Sequence, residues 1–359
     1  MSWGTGKAGL LPAPPADGTA ATVVLERADQ LADAVASGLA GPESVVFVPA
    51  AADGTDGDAG TDGDAGLAVV RYEGSLSDAG GEFSVGSGFF LQSQTYGVSP
   101  YMSVVGPTLV RIADETDFQF YLDDADQARA SGTWSDFLTH PVIQLADVCA
   151  LGSGPSADGP RWRLHVAASG AVSTSPHGRP LGTLGDSPEQ LARTWTHLRT
   201  GSDEHGCDEH GCPVCLGGVL DQPTRAQALA ARPWLGRYLA ALDSIRDLRA
   251  RGLSEPRVSG FGVRLLPELA GLGLAADAGS AAAPLLLWTD QAAFVHTVDR
   301  SRTFQLDLAL APAVEALLGC GSTEDPERFV DRALLDRARA SLRAVGVDLH
   351  QAESVGAGV

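Results

Sequence analysis

The stretch PLLLWTDQAAFVHTVDRSRTFQLD, at residues 284–307, carries the clearest fold signal in the chain. Its apolar runs are short and are separated by tight polar turns, which predicts three antiparallel strands at 284–290, 292–299 and 303–307. Helical patterns follow at 308–318, at 325–331 behind an Asp325-Pro326 start, and at 333–345 before Gly346. Three strands followed by three helical segments predict a winged-helix-like domain at 282–350.

Working outward from this domain, the chain of 359 residues divides by composition and pattern. We predict an α+β multi-domain protein with a mixed α/β N-terminal domain, a small metal-binding hairpin module and the winged-helix-like domain with its three-stranded sheet. The expected parts are a tail at 1–20, the mixed domain at 21–145, a cysteine-rich module at 146–222, a helical connector at 223–281 and the last domain at 282–350.

Charge excludes some partners. The formal net charge is -20, from 25 Lys and Arg against 45 Asp and Glu, so we expect no nucleic-acid partner. Residues 1–220 hold 10 basic and 28 acidic side chains, whereas 221–359 hold 15 and 17. An acidic ligand should therefore prefer the C-terminal part. No apolar run reaches the ~20 residues of a membrane span, and no secretory core is visible, so we expect a cytoplasmic protein without a membrane partner.

The N-terminal domain shows an alternating pattern without a catalytic motif. Strands are expected at 22–26, 44–50, 67–73, 83–92, 108–113 and 118–122, and helices at 30–39, 124–130 and 134–149. Gly86-Ser87-Gly88 is interpreted as a bulge or strand crossing, because a dinucleotide-binding turn needs a third glycine. The hexapeptide GTDGDA occurs twice, at 54–59 and 60–65; a flexible loop is favoured over an ion site, since the closing Glu of a calcium loop is absent.

The cysteine module carries the strongest local chemistry. The segment DEHGCDEHGCPVC at 203–215 repeats a pentad and ends in a CxxC knuckle, in which two thiolates two residues apart can hold one metal ion. Cys149 is the distant partner, and the fourth ligand is one of Cys207, His210 or His205. Zinc is the favoured metal, an iron–sulfur cluster is an alternative, and plain thiols in a loop are a third.

The module also has a recognisable order of elements. A hairpin at 161–175 turns at Gly170, a helix starts at a Ser187-x-x-Gln190 capping box with Pro188 in its first position, and the CxxC closes in glycines. This order resembles the SPASM or twitch auxiliary-cluster modules of radical-SAM peptide-modifying enzymes. It departs from them at Ser175, where those modules carry a cysteine, and the radical-SAM CxxxCxxC loop is absent. His165 is interpreted as a satisfied strand histidine and His177 as a solvated turn residue.

The connector is expected to hold two helices. The first would begin at a Thr224-x-x-Gln227 capping box, and the second at Pro233, with one apolar stripe that packs on the core.

The C-terminal domain, with LLLWTDQAAFVHTVDRSRTFQLD and LLDRARASLRAVGVDL, resembles the RiPP recognition element typified by the pyrroloquinoline quinone peptide chaperone. The resemblance implies that a precursor's leader peptide adds as a strand between the third strand and the third helix. The implied site comprises the strand residues Thr303, Phe304, Gln305, Leu306 and Asp307, the apolar helix face of Leu335, Ala338 and Leu342, and the flanking Arg332, Arg339 and Arg343. The alternatives are that the stripe is ordinary core, that the arginines form a solvated face, or that the domain is a DNA-reading winged helix.

Taken together, these resemblances suggest a recognition protein of daptide-type ribosomal-peptide pathways. Such a protein is non-catalytic: it binds the precursor peptide and delivers it to a partner, there an oxidative decarboxylase of the dehydrogenase type. The competing hypotheses are a metal- or iron–sulfur-dependent redox component of a peptide-modifying enzyme and an acidic transcriptional regulator.

Overall fold

A computed structural model describes residues 15, 18–50, 67–78, 80–153, 159–200, 212–270, 283–298, 302–320 and 324–347. The chain forms two compact units: Met1–Phe120 with Val142–Ala230, and Tyr121–Pro141 with Ala231–Val359. No helix in the described ranges is long and apolar enough to cross a membrane.

The first unit is built on a ten-stranded mixed sheet. Its strands are Thr22–Leu25 (β1), Val45–Pro49 (β2), Ala68–Gly74 (β3), Glu82–Val85 (β4), Phe89–Thr95 (β5), Thr108–Arg111 (β6), Ile143–Leu145 (β7), Arg163–Val166 (β8), Ala171–Ser173 (β9) and Gly182–Thr183 (β10). Their order is β10-β9-β8-β1-β2-β3-β4-β5-β6-β7. The strands β8, β1, β2 and β3 are parallel to one another, as are β5, β6 and β7. The strand β4 is antiparallel to both of its neighbours, β3 and β5, and β9 is antiparallel to β8 and β10.

This sheet crosses a boundary that the sequence predicted. The expected first domain ended at residue 145, but β8, β9 and β10 of the cysteine module continue the same sheet beside β1. The successive residues Val23 and Val24 of β1 point to opposite faces of the sheet, and both are buried. Burial on both faces is typical of a central parallel strand with a near-continuous apolar sequence. The cysteine module therefore shares one sheet and one unit with most of the mixed domain, whereas Tyr121–Pro141 of that domain belongs to the second unit.

Helices accompany both units. The described α-helices are Leu31–Ala36 (α1), Glu115–Ser131 (α2), Pro188–Thr200 (α3), Gln222–Ala230 (α4), Leu235–Ala250 (α5), Ala311–Cys320 (α6) and Arg332–Ala344 (α7). The capping box of α3 is confirmed, because Ser187 N donates to Gln190 Oε1 (2.8 Å) and Gln190 N donates to Ser187 Oγ (3.4 Å). The helix α4 begins earlier than predicted, since the Asp221 carboxylate and not Thr224 accepts the hydrogen bond from the first turn.

Three local predictions for the first domain were wrong. Residues 118–122 belong to α2: Asp114 accepts a hydrogen bond from Asp117 N at the start of that helix, and the buried positions recur at helical spacing. Residues 134–149 are not one helix, because Pro141 interrupts them and β7 follows with alternating burial. Gly86-Ser87-Gly88 is the turn of the β4-β5 hairpin, in which Gly86 has φ 51°.

The second unit contains a small antiparallel sheet with the order β11-β12-β13-β14. Its strands are Arg257–Val258 (β11), Leu285–Trp288 (β12), Ala293–Thr297 (β13) and Arg302–Leu306 (β14). The three predicted strands are confirmed, and β11 is an additional one. A short 3-10 turn, α6, a second 3-10 turn at Pro326–Arg328 and then α7 follow β14, in the predicted order. The helix α5 is buried around most of its circumference and not along a single stripe.

Candidate metal centre

Three cysteines from two distant parts of the chain meet in the first unit. Cys149 lies in a 3-10 turn just after β7, and Cys212 and Cys215 form the CxxC knuckle beyond α3. The sulfurs of Cys149 and Cys215 are 3.3 Å apart, those of Cys212 and Cys215 are 3.8 Å apart, and all three lie within 4.8 Å of one another. The three side chains are buried and none forms a disulfide. The predicted convergence of these cysteines is confirmed, and the group can bind a metal ion.

The backbone around the knuckle fixes its shape. Cys212 N donates to the Cys149 carbonyl at 2.7 Å, so the two cysteine segments are joined directly. A Cβ on Gly217 would lie 2.6 Å from the Pro213 carbonyl oxygen, which leaves no room for any side chain there. Glycine at this position is thus a steric requirement of the turn.

Ser175 stands where the resembled modules have a cysteine, and its structural role is clear. The side chain is fully buried, and its Oγ donates to the Cys215 carbonyl at 2.6 Å. The hydroxyl therefore supports the backbone of the knuckle instead of adding a fourth sulfur.

Charged and polar groups surround the thiols. The Arg163 guanidinium donates to Asp147 Oδ1 at 2.8 Å and lies 3.7 Å from the Cys215 sulfur, while Thr174 Oγ1 lies 3.4 Å from the same sulfur. Asp147 has φ 51°, an uncommon conformation for a residue other than glycine, and burial raises the pKa of its carboxyl. Hydrogen bonds from Cys149 and Cys215 lower the pKa of the Cys212 thiol well below its ordinary value. Hydrogen bonds with Cys212 and Cys215 raise the pKa of the Cys149 thiol well above its ordinary value, so the cluster favours negative charge on Cys212.

A second guanidinium is buried close enough to matter electrostatically. Arg111, at the end of β6, is 1% exposed; burial lowers its pKa to about 10, and Asp147 and Arg163 also influence it. Its Nε donates to Ser93 Oγ at 3.1 Å, but its two terminal nitrogens have no hydrogen-bond partner within the described part of the chain. The sequence pattern offered no signal for Arg111, because it continues an ordinary apolar strand.

Two histidines of the module, His165 and His177, behave differently. His165, on β8, is confirmed as a satisfied strand histidine: its Nε2 lies 3.1 Å from Ser77 Oγ and 3.1 Å from Glu26 Oε1. The interpretation of His177 as a solvated turn residue was wrong for its ring nitrogen. That residue is only partly exposed, and its Nε2 is buried without a partner among the described residues.

The group of Glu26, Ser77 and His165 was missed at the sequence level, because its members are far apart in the chain. The Ser77 hydroxyl donates to Glu26, and Ala168 N donates to the other Glu26 oxygen at 2.7 Å. The hydrogen bond from His165 is the main cause that lowers the pKa of Glu26 to about 2. Such a carboxylate is a very weak base, and Ser77 and Glu26 meet the same ring nitrogen, so this is not the relay arrangement of a nucleophilic serine.

The remaining metal-site candidates fall elsewhere. Cys207, His205 and His210 lie outside the described residues. Cys320, to which the sequence assigned no role, is buried beside Leu269 in the second unit.

The predicted peptide-site residues lie on β14 and α7 of the second unit. Along β14, Arg302 and Gln305 are exposed, Thr303 and Phe304 are half-buried, and Leu306 is buried. Thr303 Oγ1 donates to Asp247 on α5 at 2.9 Å, so this side chain is engaged within the unit. Asp307 is exposed and caps the following 3-10 turn by accepting from Ala309 N.

The apolar face of α7 is not a surface. Leu335, Ala338 and Leu342 are each 0% exposed and pack in one core with residues of β12, β13 and α6. These three side chains therefore belong to the hydrophobic core of the second unit, as the ordinary-core alternative expects. The three arginines lie outside this core: Arg332 and Arg343 are exposed, and Arg339 pairs with Asp336 at 3.2 Å.

No protein-family model, curated protein or solved structure matches this chain.

Proposed function

We propose that this protein is a non-catalytic peptide-binding protein of ribosomal-peptide biosynthesis, which holds a precursor's leader at β14 and delivers it to a partner modifying enzyme. The observation that carries the proposal is the position of β14 at the end of the small sheet. It pairs with β13 on one side, and no described strand pairs with its other side. An edge strand presents unpaired N–H and C=O groups, which an extended peptide can satisfy by adding one strand.

The side chains around this edge suit an extended peptide. Phe304 points to the face of the sheet that packs against α6 and α7. There it packs only partly against the core, as do Leu308 and Leu334. These half-buried side chains, and not the buried stripe of α7, would receive the apolar residues of the leader. The exposed Arg332 and Arg343 and the half-buried Arg339 supply positive charge for an acidic leader, and their surface ion pairs are weak enough to exchange.

The binding test uses a fluorescent synthetic leader from a short precursor gene beside the gene for this chain. Titration should show saturable binding, and hydrogen exchange of the amides of β14 should slow in the complex. Phe304→Ser should weaken binding about tenfold or more, whereas Gln305→Ser, on the opposite face of the same strand, should change it little. Thermal unfolding of both variants establishes that they are folded. Absent binding, or protection that spares β14, would refute the proposed site.

The absence of catalysis is a separate part of the proposal. Incubation of the protein with the precursor, metal ions and common cofactors should leave the mass of the peptide unchanged. A mass shift without any partner enzyme would identify the chain as an enzyme and overturn the delivery role.

We further propose that the three cysteines hold a structural zinc ion. A Zn–S bond of about 2.3 Å implies sulfur separations of roughly 3.8 Å in a tetrahedron. The 3.8 Å between Cys212 and Cys215 matches this value, and the 3.3 Å between Cys149 and Cys215 would have to widen by about half an ångström. The charges around the cluster are compatible with such an ion. Arg111 and Arg163 outnumber Asp147 in this buried region, and a dication with three thiolates carries one net negative charge that offsets the excess.

Elemental analysis of the purified chain separates the two metal hypotheses. Zinc at one ion per chain, with no visible absorption band, is expected for a closed structural site. Iron with acid-labile sulfide and a visible band would instead support the redox-component hypothesis, and metal-free protein would refute both.

A further inference from the structure

The first unit exposes an apolar surface that neither the metal centre nor the peptide edge uses. Of the eight large apolar side chains exposed in the described residues, six come from β5, the connection that follows it and α2. We call these six the 90–120 patch: Phe90, Val98, Tyr101, Met102, Val105 and Phe120.

The connection between β5 and β6 carries four of these side chains, and each of the two phenylalanines lies beside one of its ends. Gly97 N donates to Asp117 Oδ1 at 2.7 Å, and a Cβ on Gly97 would lie 3.1 Å from the Phe120 ring. At the other end, a Cβ on Gly106 would lie 4.0 Å from the Phe90 ring. The two phenylalanines therefore flank the connection that carries the other four.

The exposure of two members is extreme for residues of their type. Tyr101 is 87% exposed and Val105 is 81% exposed, although Tyr101 ends a regular 3-10 turn and its backbone N–H is bonded to the Val98 carbonyl. An ordered backbone that directs large apolar groups into water is typical of an interaction surface and not of core packing.

The segment of the chain that carries the patch is rich in acidic side chains and poor in basic ones. From Tyr72 to Phe120 the only basic residue is Arg111, which is buried, while Asp114 and Glu115 are exposed at the start of the helix that carries Phe120. An apolar centre with an acidic rim complements a partner segment that has apolar anchors flanked by Lys or Arg. A second copy of this chain would bring an identical acidic rim, and an anionic lipid surface would repel it.

We propose that the 90–120 patch is the docking surface for a basic, amphipathic segment of another protein. The proposal does not depend on leader binding at β14, since it uses different residues and a different unit. Tyr101 and Val105 are the anchors, and the acidic residues at the start of α2 select partners with positive flanks.

The test selects peptides from a random phage-displayed library on the full-length chain. Parallel selections use Tyr101→Ser/Val105→Ser and the control Val35→Ser, which changes an exposed apolar side chain on α1, 39% exposed. Peptides recovered on wild type and Val35→Ser but lost on the double variant should combine aromatic or aliphatic residues with Lys or Arg. A synthetic copy should bind wild type at least tenfold more tightly than the double variant in fluorescence anisotropy.

A charge-reversal variant at the start of α2 tests whether acidic residues select basic peptides. Glu115→Lys, which leaves the Asp114 cap of α2 intact, should shift patch-dependent selection from basic toward acidic peptides, while far-UV circular dichroism and thermal unfolding stay close to wild type. A library without patch-dependent peptides, or patch-dependent peptides that are neutral or acidic on wild type, overturns the proposal.

Two further measurements exclude the other occupants. Sedimentation velocity that shows a wild-type dimer and a monomeric double variant would assign the patch to a second copy. Co-sedimentation of wild type, but not of the double variant, with phosphatidylcholine–phosphatidylglycerol vesicles would assign it to a membrane. Either result overturns the proposal of a basic protein partner.

Discussion

The cysteine cluster and the β14 edge are the two sites that the sequence indicated, and the fold treats them in opposite ways. The three sulfurs are buried, and backbone hydrogen bonds join their segments. The edge strand instead leaves Arg302 and Gln305 exposed and one side unpaired by any described strand. A buried site contributes to folding, whereas an open edge contributes to binding. Substitutions in the first should change stability, and substitutions in the second should change affinity.

The largest effect is expected at the cysteine cluster. The double substitution Cys212→Ser/Cys215→Ser should abolish metal binding and lower the free energy of unfolding by more than about 4 kcal/mol, because metal affinity is part of folding in such sites. Elemental analysis and urea denaturation measure the two quantities. The matched control is Cys320→Ser, which replaces a buried cysteine outside the cluster. This variant should still bind metal at the cluster. Full metal retention in the double variant would show that these cysteines do not bind the metal.

The next effect tests whether α7 belongs to the core or to the peptide groove. Leu342→Ala should cost about 2–5 kcal/mol of stability, since the side chain is completely buried. Arg343→Ala, next to it but exposed, should change stability by less than about 0.5 kcal/mol. Chemical denaturation of both variants gives the comparison. A Leu342→Ala variant with wild-type stability but weakened leader binding would restore the helix face as a peptide-contact surface.

Much of the second unit followed from the sequence, for a physical reason. Short strands separated by polar turns depend on local chemistry, so residues 284–307 predicted β12, β13 and β14 closely. Which side of α7 faces a partner did not follow, because the same apolar spacing describes a core stripe and a binding groove. Only the burial of Leu335 and Leu342 separates the two.

The first unit was predictable in its parts and not in its assembly. Most strands were located, but nothing local shows that β8 pairs in parallel with β1 across a long separation in the chain. The run FQFYL at 118–122 suits a strand in isolation and becomes helical because Asp114 starts a helix before it. At the cluster, Cys212 and Cys215 could be found from their CxxC spacing and Cys149 as their distant partner, while Arg111 and Glu26 could not, since their partners are distant in sequence.

The smallest expected effect concerns Glu26 and is a change in stability that depends on pH. Its pKa is about 2 in the folded protein against an ordinary 4.5, mainly through the hydrogen bond from His165. A lowered carboxyl pKa stabilises the fold above about pH 4.5, and that contribution disappears as the pH falls toward 2. Urea unfolding should therefore show Glu26→Gln to be about 1–2 kcal/mol less stable than wild type at pH 6, a figure reduced for partial solvent exposure. The difference should shrink steadily between pH 5 and about pH 2. Ser77→Ala removes only one hydrogen bond to the same carboxylate and should give a smaller change of the same sign. A stability difference for Glu26→Gln that stays constant across this range would show that the network contributes by packing and not by charge.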